Sequence, residues 1–285
     1  MLDWLTEPFS WSYMQRSLVA GVLVAVLCAC VGTWVVQRGL AFLGDALGHG
    51  LLPGVAIAHL LGVSIVVGAA VSAAVMIAGI AYVSSRTQLG ADTSIGLFFV
   101  GALALGVIVV SRSRTFATDV TAFLFGDVLG VSSSQNRWLA VAAAAAIVAS
   151  VLLYRPFMAL CLDERKALTL GFRPRLTHAV MLLMVAVTVV ASFQVVGTLL
   201  VFGFLIAPPS AALLVVRHTA LAMLLAAVFA MVSVVVGLLL SWYLDWAAGA
   251  TMVLCAITLF AAALVARALV APRTRRRTVD HGAGS

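Results

Sequence analysis

Apolar residues run in blocks of about twenty along nearly the whole chain, separated by short polar or basic interludes. The blocks fall near 17–36, 39–61, 63–84, 93–111, 137–154, 176–193, 195–216, 219–243 and 246–268. A helix rises ~1.5 Å per residue, so each block suits a hydrocarbon layer of roughly 30 Å. The pattern predicts an all-α, polytopic α-helical membrane protein with about eight to nine transmembrane helices. A further apolar stretch, 119–131, is too short to span and is expected as a re-entrant or interfacial piece, tolerable where protein covers it. The expected organisation is an external N-terminal segment at 1–16, a transmembrane domain at 17–270 and an unstructured basic cytoplasmic tail at 271–285.

Two blocks carry internal breakers. One is Leu52-Pro53-Gly54; the other is Ala207-Pro208-Pro209-Ser210. Proline removes a backbone donor and clashes with the preceding turn. Breaks of this kind in membrane helices often flank a substrate path, although Pro and Gly are also simply commoner in such helices.

Polar positions inside the blocks are rare, which makes Asp45 and His49 conspicuous. They lie four residues apart, just before the Pro53-Gly54 break. Positions i and i+4 share a helix face, so the two side chains can converge. Ionisable groups at membrane depth are costly and mark a site by default. A carboxylate and an imidazole are both ligands for a divalent transition metal. The structural alternatives are a carboxylate paired with Arg38, two turns below, and a neutral packing histidine. His59 lies beyond the break, His178 and His218 fall at helix ends, and His281 is in the tail. Asp127 reads as a cap or packing residue and Gln194 as a turn residue.

Composition strengthens the membrane reading. The chain is 64% hydrophobic and 9% charged, with a mean hydropathy of +1.18, against about 25% charged in a soluble domain. Charge distribution sets the orientation. With the basic tail (Arg273, Arg275, Arg276, Arg277) in the cytoplasm and nine passes, 13 of the 17 basic residues fall on the cytoplasmic side. The N-terminus is then external. Segment 112–136 is the hinge of this argument, because a crossing there would invert everything before it. Counting from Arg38, Asp45 lies about 10 Å and His49 about 16 Å along the second pass, near mid-membrane.

Several chemistries are excluded or displaced. Cys28, Cys30, Cys161 and Cys255 contain no Cys-x-x-Cys pair, so no thiolate cluster is expected. The start carries no basic region followed by a small-residue cleavage site, so no removable signal peptide is expected. A Walker A loop needs Gly-x-x-x-x-Gly-Lys-Ser/Thr. The sole lysine, Lys166, stands between Arg165 and Ala167. ATP-driven transport would therefore need another polypeptide.

The loop 155–175 holds one more predicted element. Asp163 and Glu164 suit a helix's first turn, Gly171 its stop and Pro174 the residues beyond. A helix of about two turns, with Ala167, Leu168 and Leu170 as its apolar residues, reads as a docking element for a cytoplasmic partner. A connector lying on the lipid surface is the alternative.

These pieces together resemble the zinc/manganese-type permease family of ABC importers, from about Pro8 to about Val265. The strongest match is Arg38-Gly-Leu-Ala-Phe-Leu-Gly-Asp45-Ala-Leu-Gly-His49-Gly-Leu-Leu-Pro53-Gly54. Others are Asp92-Thr-Ser-Ile-Gly96, Phe123-Leu-Phe-Gly126-Asp127, Ala167-Leu-Thr-Leu-Gly171, Val196-Gly197-Thr-Leu-Leu-Val and Ile206-Ala-Pro208. Pro209 departs from the pattern, which more often has one proline followed by a small residue. The resemblance implies a homodimer, a separate cytoplasmic ATP-binding subunit and an extracytoplasmic metal-binding protein. It implies that Asp45 and His49 line the metal path and that the helix around Asp163–Gly171, including Glu164 and Ala167, couples to the ATPase. It implies no permanently bound cofactor, with zinc or manganese, or iron, as the transported ion. A twofold dimer would supply four ligands to one transiently held ion, as a conduit requires. The basic tail is suited to anionic lipid, not nucleic acid. Two alternatives remain at this point: a permease for a metal chelate of siderophore or cobalamin type, and a proton-coupled secondary metal transporter.

Overall fold

The computed structural model describes residues 7–87, 90–111, 123–162, 164–169 and 171–270. All regular structure among them is helical. After a 3-10 turn at Pro8–Ser10 comes α1 (Ser12–Arg38), then α2 (Ala41–Gly50) and α3 (Leu52–Leu60). These are followed by α4 (Ile65–Arg86), α5 (Ala91–Ser111), α6 (Ser133–Leu152), α7 (Tyr154–Leu162) and α8 (Glu164–Thr169). The last four are α9 (Pro174–Val196), α10 (Thr198–Val215), α11 (Thr219–Leu244) and α12 (Ala248–Val270). Among the described residues eight passes are long and apolar enough to cross a membrane, with α2 and α3 joined as Ala41–Leu60, and the apolar part of α10, Leu200–Val215, is a shorter ninth.

α1 forms the axis of the bundle. Ala20, Ala25, Leu27, Cys28 and Val35 are wholly buried and Trp34 nearly so, so this helix is surrounded by protein, not lipid. α4, α5, α6 and α12 instead turn Val75, Val100, Leu105, Val151 and Leu269 outward. In water that would be an aggregation surface; in hydrocarbon it is the face that meets acyl chains. Trp11, Trp138 and Trp246 are exposed and lie just before α1, near the start of α6 and just after α11, as amphipathic rings do at the membrane boundary.

The two ends are defined by polar contacts. At one, Asn136 Nδ2 donates to the Arg16 carbonyl at 3.1 Å and Gln135 Nε2 to Gln194 Oε1 at 3.2 Å. Residues 123–131 lie at this same end. The Phe123 ring meets Phe193 at 5.6 Å, and the Asp127 N–H donates to the Gln194 carbonyl at 3.3 Å. The following helix, α6, opens there with a capping box of Ser132 and Gln135. The described part of the short apolar stretch therefore returns to the end it sits at and adds no pass; the remainder of 119–131 lies outside the described residues. At the other end, Arg38 and Gln37 of α1 bond to α7 and α11.

The breakers behave differently from one another. At Pro53-Gly54 the helix is interrupted at Leu51, whose φ −74° and ψ −24° stay helical, so α2 and α3 still act as one pass. Ser72 Oγ of α4 donates to the Gly50 carbonyl at this joint at 2.6 Å, the kind of local repair that membrane breaks require. Gly54 has a second reason to be small, since a Cβ there would strike the Gly68 carbonyl of α4, and one on Gly68 would strike the Gly54 carbonyl. The interruption expected at Pro208-Pro209 does not occur: both prolines lie inside the continuous α10. Pro209 deprives the Leu205 carbonyl of its usual partner, and Gly32 of α1 packs directly against that carbonyl. The connection from α9 to α10 is Gly197 alone.

Candidate metal site

Asp45 and His49 are delivered by a turn that leaves little freedom. α1 stops at Gly39, where φ is +74°, a left-handed conformation glycine adopts without steric cost. The Gly39 N–H reaches the Val36 carbonyl at 3.1 Å and the Leu40 N–H the Val35 carbonyl at 3.0 Å. This paired closure is the Schellman arrangement, and it launches α2 two residues later. On α2, Leu43, Gly44, Ala46, Leu47 and Gly48 are buried. Phe42, Asp45 and His49 form the open stripe at helical spacing.

His49 Nε2 stands 3.7 Å from Asp45 Oδ1, with the two side chains 23% and 25% exposed. That separation exceeds hydrogen-bond range, so neither lone pair is consumed by the other. Two donors each 2.0–2.2 Å from one tetrahedral ion lie about 3.4 Å apart. The pair is thus within a few tenths of an ångström of a chelating geometry. Among the described residues no group of three or more His, Cys, Asp or Glu gathers anywhere, so one chain offers two such ligands here.

The surroundings supply two features the sequence did not mark. Phe99 of α5 lies edge-on to the His49 imidazole (5.6 Å, 73°) and to Phe42 (5.6 Å, 69°). It walls the open stripe on one flank. On the other flank Gly48 packs against Thr198, the first residue of α10, whose hydroxyl is buried and unpartnered. An aromatic inside an apolar run carries no signal of its own. The Gly44/Gly48 spacing was the available hint that a second helix approaches there.

The other candidates disperse. Pro53 and Gly54 line an apolar cavity of about 730 Å³ between α3, α4 and α5, with Ile57, Val71, Phe98 and Leu105. Its wall holds no charged side chain, so the cavity is unsuited to a bare divalent ion. His59 lies in the last turn of α3, about 15 Å along the helix from His49. Asp127 Oδ1 accepts the Gly130 N–H at 2.9 Å and closes its own turn. Arg38 sends Nη1 to the Leu160 carbonyl of α7 at 2.6 Å. Pro208 and Pro209 are buried within α10.

The predicted loop helix is present as α8. It closes on Gly171, φ +80°, with Gly171 N–H to the Leu168 carbonyl at 3.0 Å and Phe172 N–H to the Ala167 carbonyl at 3.1 Å. Ala167 is 1% exposed and Leu168 is 61% exposed, so the helix turns Ala167 inward and presents Leu168. Asp163 and the Glu164 side chain lie outside the described residues.

Apolar passes packed around α1, with one half-open carboxylate–imidazole pair at mid-helix, define a multi-pass membrane permease. The chain belongs to the ABC 3 transport family, whose model matches residues 10–267. It is 35% identical over 258 residues to the manganese transport system membrane protein MntC of Halalkalibacterium halodurans, covering 90% of this chain and 88% of that one. It is 32% identical over 261 residues to the chelated iron transport system membrane protein YfeD of Yersinia pestis, covering 92% and 88%. Among solved structures, PsaBC from Streptococcus pneumoniae in complex with Fab superposes with a TM-score of 0.83 at 26% identity, covering 97% of this chain and 98% of that one.

Proposed function

We propose that this chain is the membrane subunit of a bacterial ABC importer for a divalent transition metal (manganese, zinc or iron), and that Asp45 and His49 hold the ion in transit. The observation that carries the reading is the 3.7 Å Asp45–His49 pair, partly exposed and joined by no third His, Cys, Asp or Glu among the described residues. The names of the manganese and iron relatives support the choice of cargo. A second copy of the chain, related by a twofold axis, supplies the other two ligands. Four ligands with two carboxylates offset the ion's charge, and the modest ligand set lets the ion leave again.

A separate ATPase supplies the energy, since the chain has no Walker A lysine. It docks at the Arg38 end, where α8 presents Leu168. The basic bias of that end supports a cytoplasmic C-terminus, with an external binding protein meeting the opposite end. ATP binding draws the cytoplasmic elements together and opens the path outward; hydrolysis and reset pass the ion inward. The chain performs no covalent chemistry. The Asp45/His49 pair favours a bare ion over a chelate, because a chelated metal already has its ligands.

The test is uptake into proteoliposomes holding the permease and its ATPase, with manganese, zinc and iron offered singly. ATP-dependent uptake of at least one ion, insensitive to a protonophore, is expected. Uptake without ATP that collapses with the proton gradient would establish the secondary-transporter reading instead.

A further inference from the structure

The last turn of α1 is gripped by the loop elements that precede α8. Trp34, 1% exposed, packs against Tyr154 (5.5 Å, 69°) and Phe157 (5.3 Å, 60°) at the start of α7. Its Nε1 donates to Ser150 Oγ at 3.4 Å. Gln37 Nε2 donates to Thr219 Oγ1 at 3.0 Å, and that hydroxyl lies 3.7 Å from Met158 Sδ of α7. Arg38 Nη1 donates to the Leu160 carbonyl at 2.6 Å. Leu160 lies in the last turn of α7, where carbonyls have no partner within the helix and carry the negative end of its dipole. A guanidinium there makes a charge-assisted bond that a neutral donor cannot equal. The same charge bears on the neighbouring thiol: burial pushes Cys161 up from its ordinary range and Arg38 pulls it partly back.

Arg38 also stands at the start of the path to the ion. Gly39 follows it in the bonded turn described above, and Asp45 is seven residues on. At its other side lies α7, which ends at Leu162, two positions before α8 begins at Glu164. We infer that Arg38 is a positioning residue that transmits movement of the α7–α8 segment to the metal-bearing helix α2, through its bond to the Leu160 carbonyl. The inference rests on the importer reading above. The turn at Gly39 is closed by two backbone bonds, so it passes displacement on and does not absorb it as a swivel. Arg38 touches no ion in this scheme; it ties the site's position to that of the loop.

The experiment compares wild type, Arg38→Met and Arg38→Lys, each assembled with the ATPase in liposomes. ATP hydrolysis and metal uptake are measured on the same preparation, and metal affinity by equilibrium binding. Arg38→Met is expected to assemble, to bind metal within about twofold of wild type and to hydrolyse ATP, while ions moved per ATP fall at least about tenfold. Arg38→Lys, which keeps a charged donor, is expected to recover most of that ratio. An unchanged ratio in Arg38→Met overturns the inference, as does loss of binding, assembly and hydrolysis in step, which marks a purely structural residue. Should Arg38→Met fail to fold, Arg38→Gln, which keeps a neutral donor, takes its place and is read by the same ratio: a fall with hydrolysis kept supports the link, and a value at the wild-type level overturns it. Wild type without ATP-driven uptake would overturn the importer reading itself, an outcome distinct from wild-type uptake with an indifferent Arg38.

Discussion

The Phe99 ring meets the His49 imidazole edge-on, with centroids 5.6 Å apart. The contact joins α5 to the Asp45/His49 face of α2 and limits how the imidazole can turn. Edge-on aromatic contacts contribute about 0.5–1.5 kcal/mol beyond their buried area, and outer contacts of a metal ligand typically govern about 10–100-fold in affinity. Phe99→Ala is expected to weaken metal binding about tenfold in equilibrium titration, with Phe99→Leu between it and wild type. Unchanged affinity in Phe99→Ala would show that the imidazole is oriented by something else.

Replacing Asp45 and His49 together by Ala removes both donor groups of the proposed half-site. Uptake should fall at least about a hundredfold, the upper end of what a lost supporting contact costs a metal site. Both side chains are partly exposed and not hydrogen-bonded to each other, so the double variant should still assemble with the ATPase. Asp45→Asn keeps the shape and discards the charge, and should bind the ion more weakly than wild type. Transport by the double variant at the wild-type rate would remove these residues from the path.

The crossing of α3 over α4 depends on two glycines facing each other. A Cβ on Gly54 would collide with the Gly68 carbonyl and with Ser72 Cβ, and one on Gly68 with the Gly54 carbonyl and Ala58 Cβ. Backbone cannot yield as a side-chain tip does, so Gly54→Ala and Gly68→Ala should each cost about 1–3 kcal/mol. The double variant should cost less than the sum, because one separation of the helices relieves both clashes. Melting temperatures in detergent check this, and a wild-type melting temperature for either single variant would contradict the packing.

What the sequence made legible follows from how each signal arises. Twenty-residue apolar runs can do little else but span, so the passes were readable. Asp45 and His49 stood out because charge is rare in such runs. The proline pair misled because a break is decided by the neighbour as well as the proline. Gly32 lets α1 pack against the Leu205 carbonyl, and α10 stays continuous. The turn between α9 and α10 falls on Gly197, φ +84°, three residues beyond Gln194, and an isolated glycine among many gives no warning of that. Phe99 was unreadable for a related reason, since its role comes from facing His49 across two helices.

The facing of α8 could not be phased from its sequence either, because six residues are too few to show a period. The structure buries Ala167 and exposes Leu168, which separates two variants that look alike on paper. Leu168→Glu should leave the isolated permease's melting temperature near wild type, since the side chain already meets solvent. If Leu168 is buried by the ATPase, its loss should cost about 2 kcal/mol of docking, about thirtyfold in affinity, measured by titrating one subunit against the other. Ala167→Glu should do the reverse, lowering the melting temperature by forcing a charge into the junction of α8 with the bundle. Gly171→Ala should fall between, because holding an alanine at φ +80° costs about 1–2 kcal/mol and loosens the end of α8 without touching its outward face. Equal docking by wild type and Leu168→Glu would move the coupling surface away from α8.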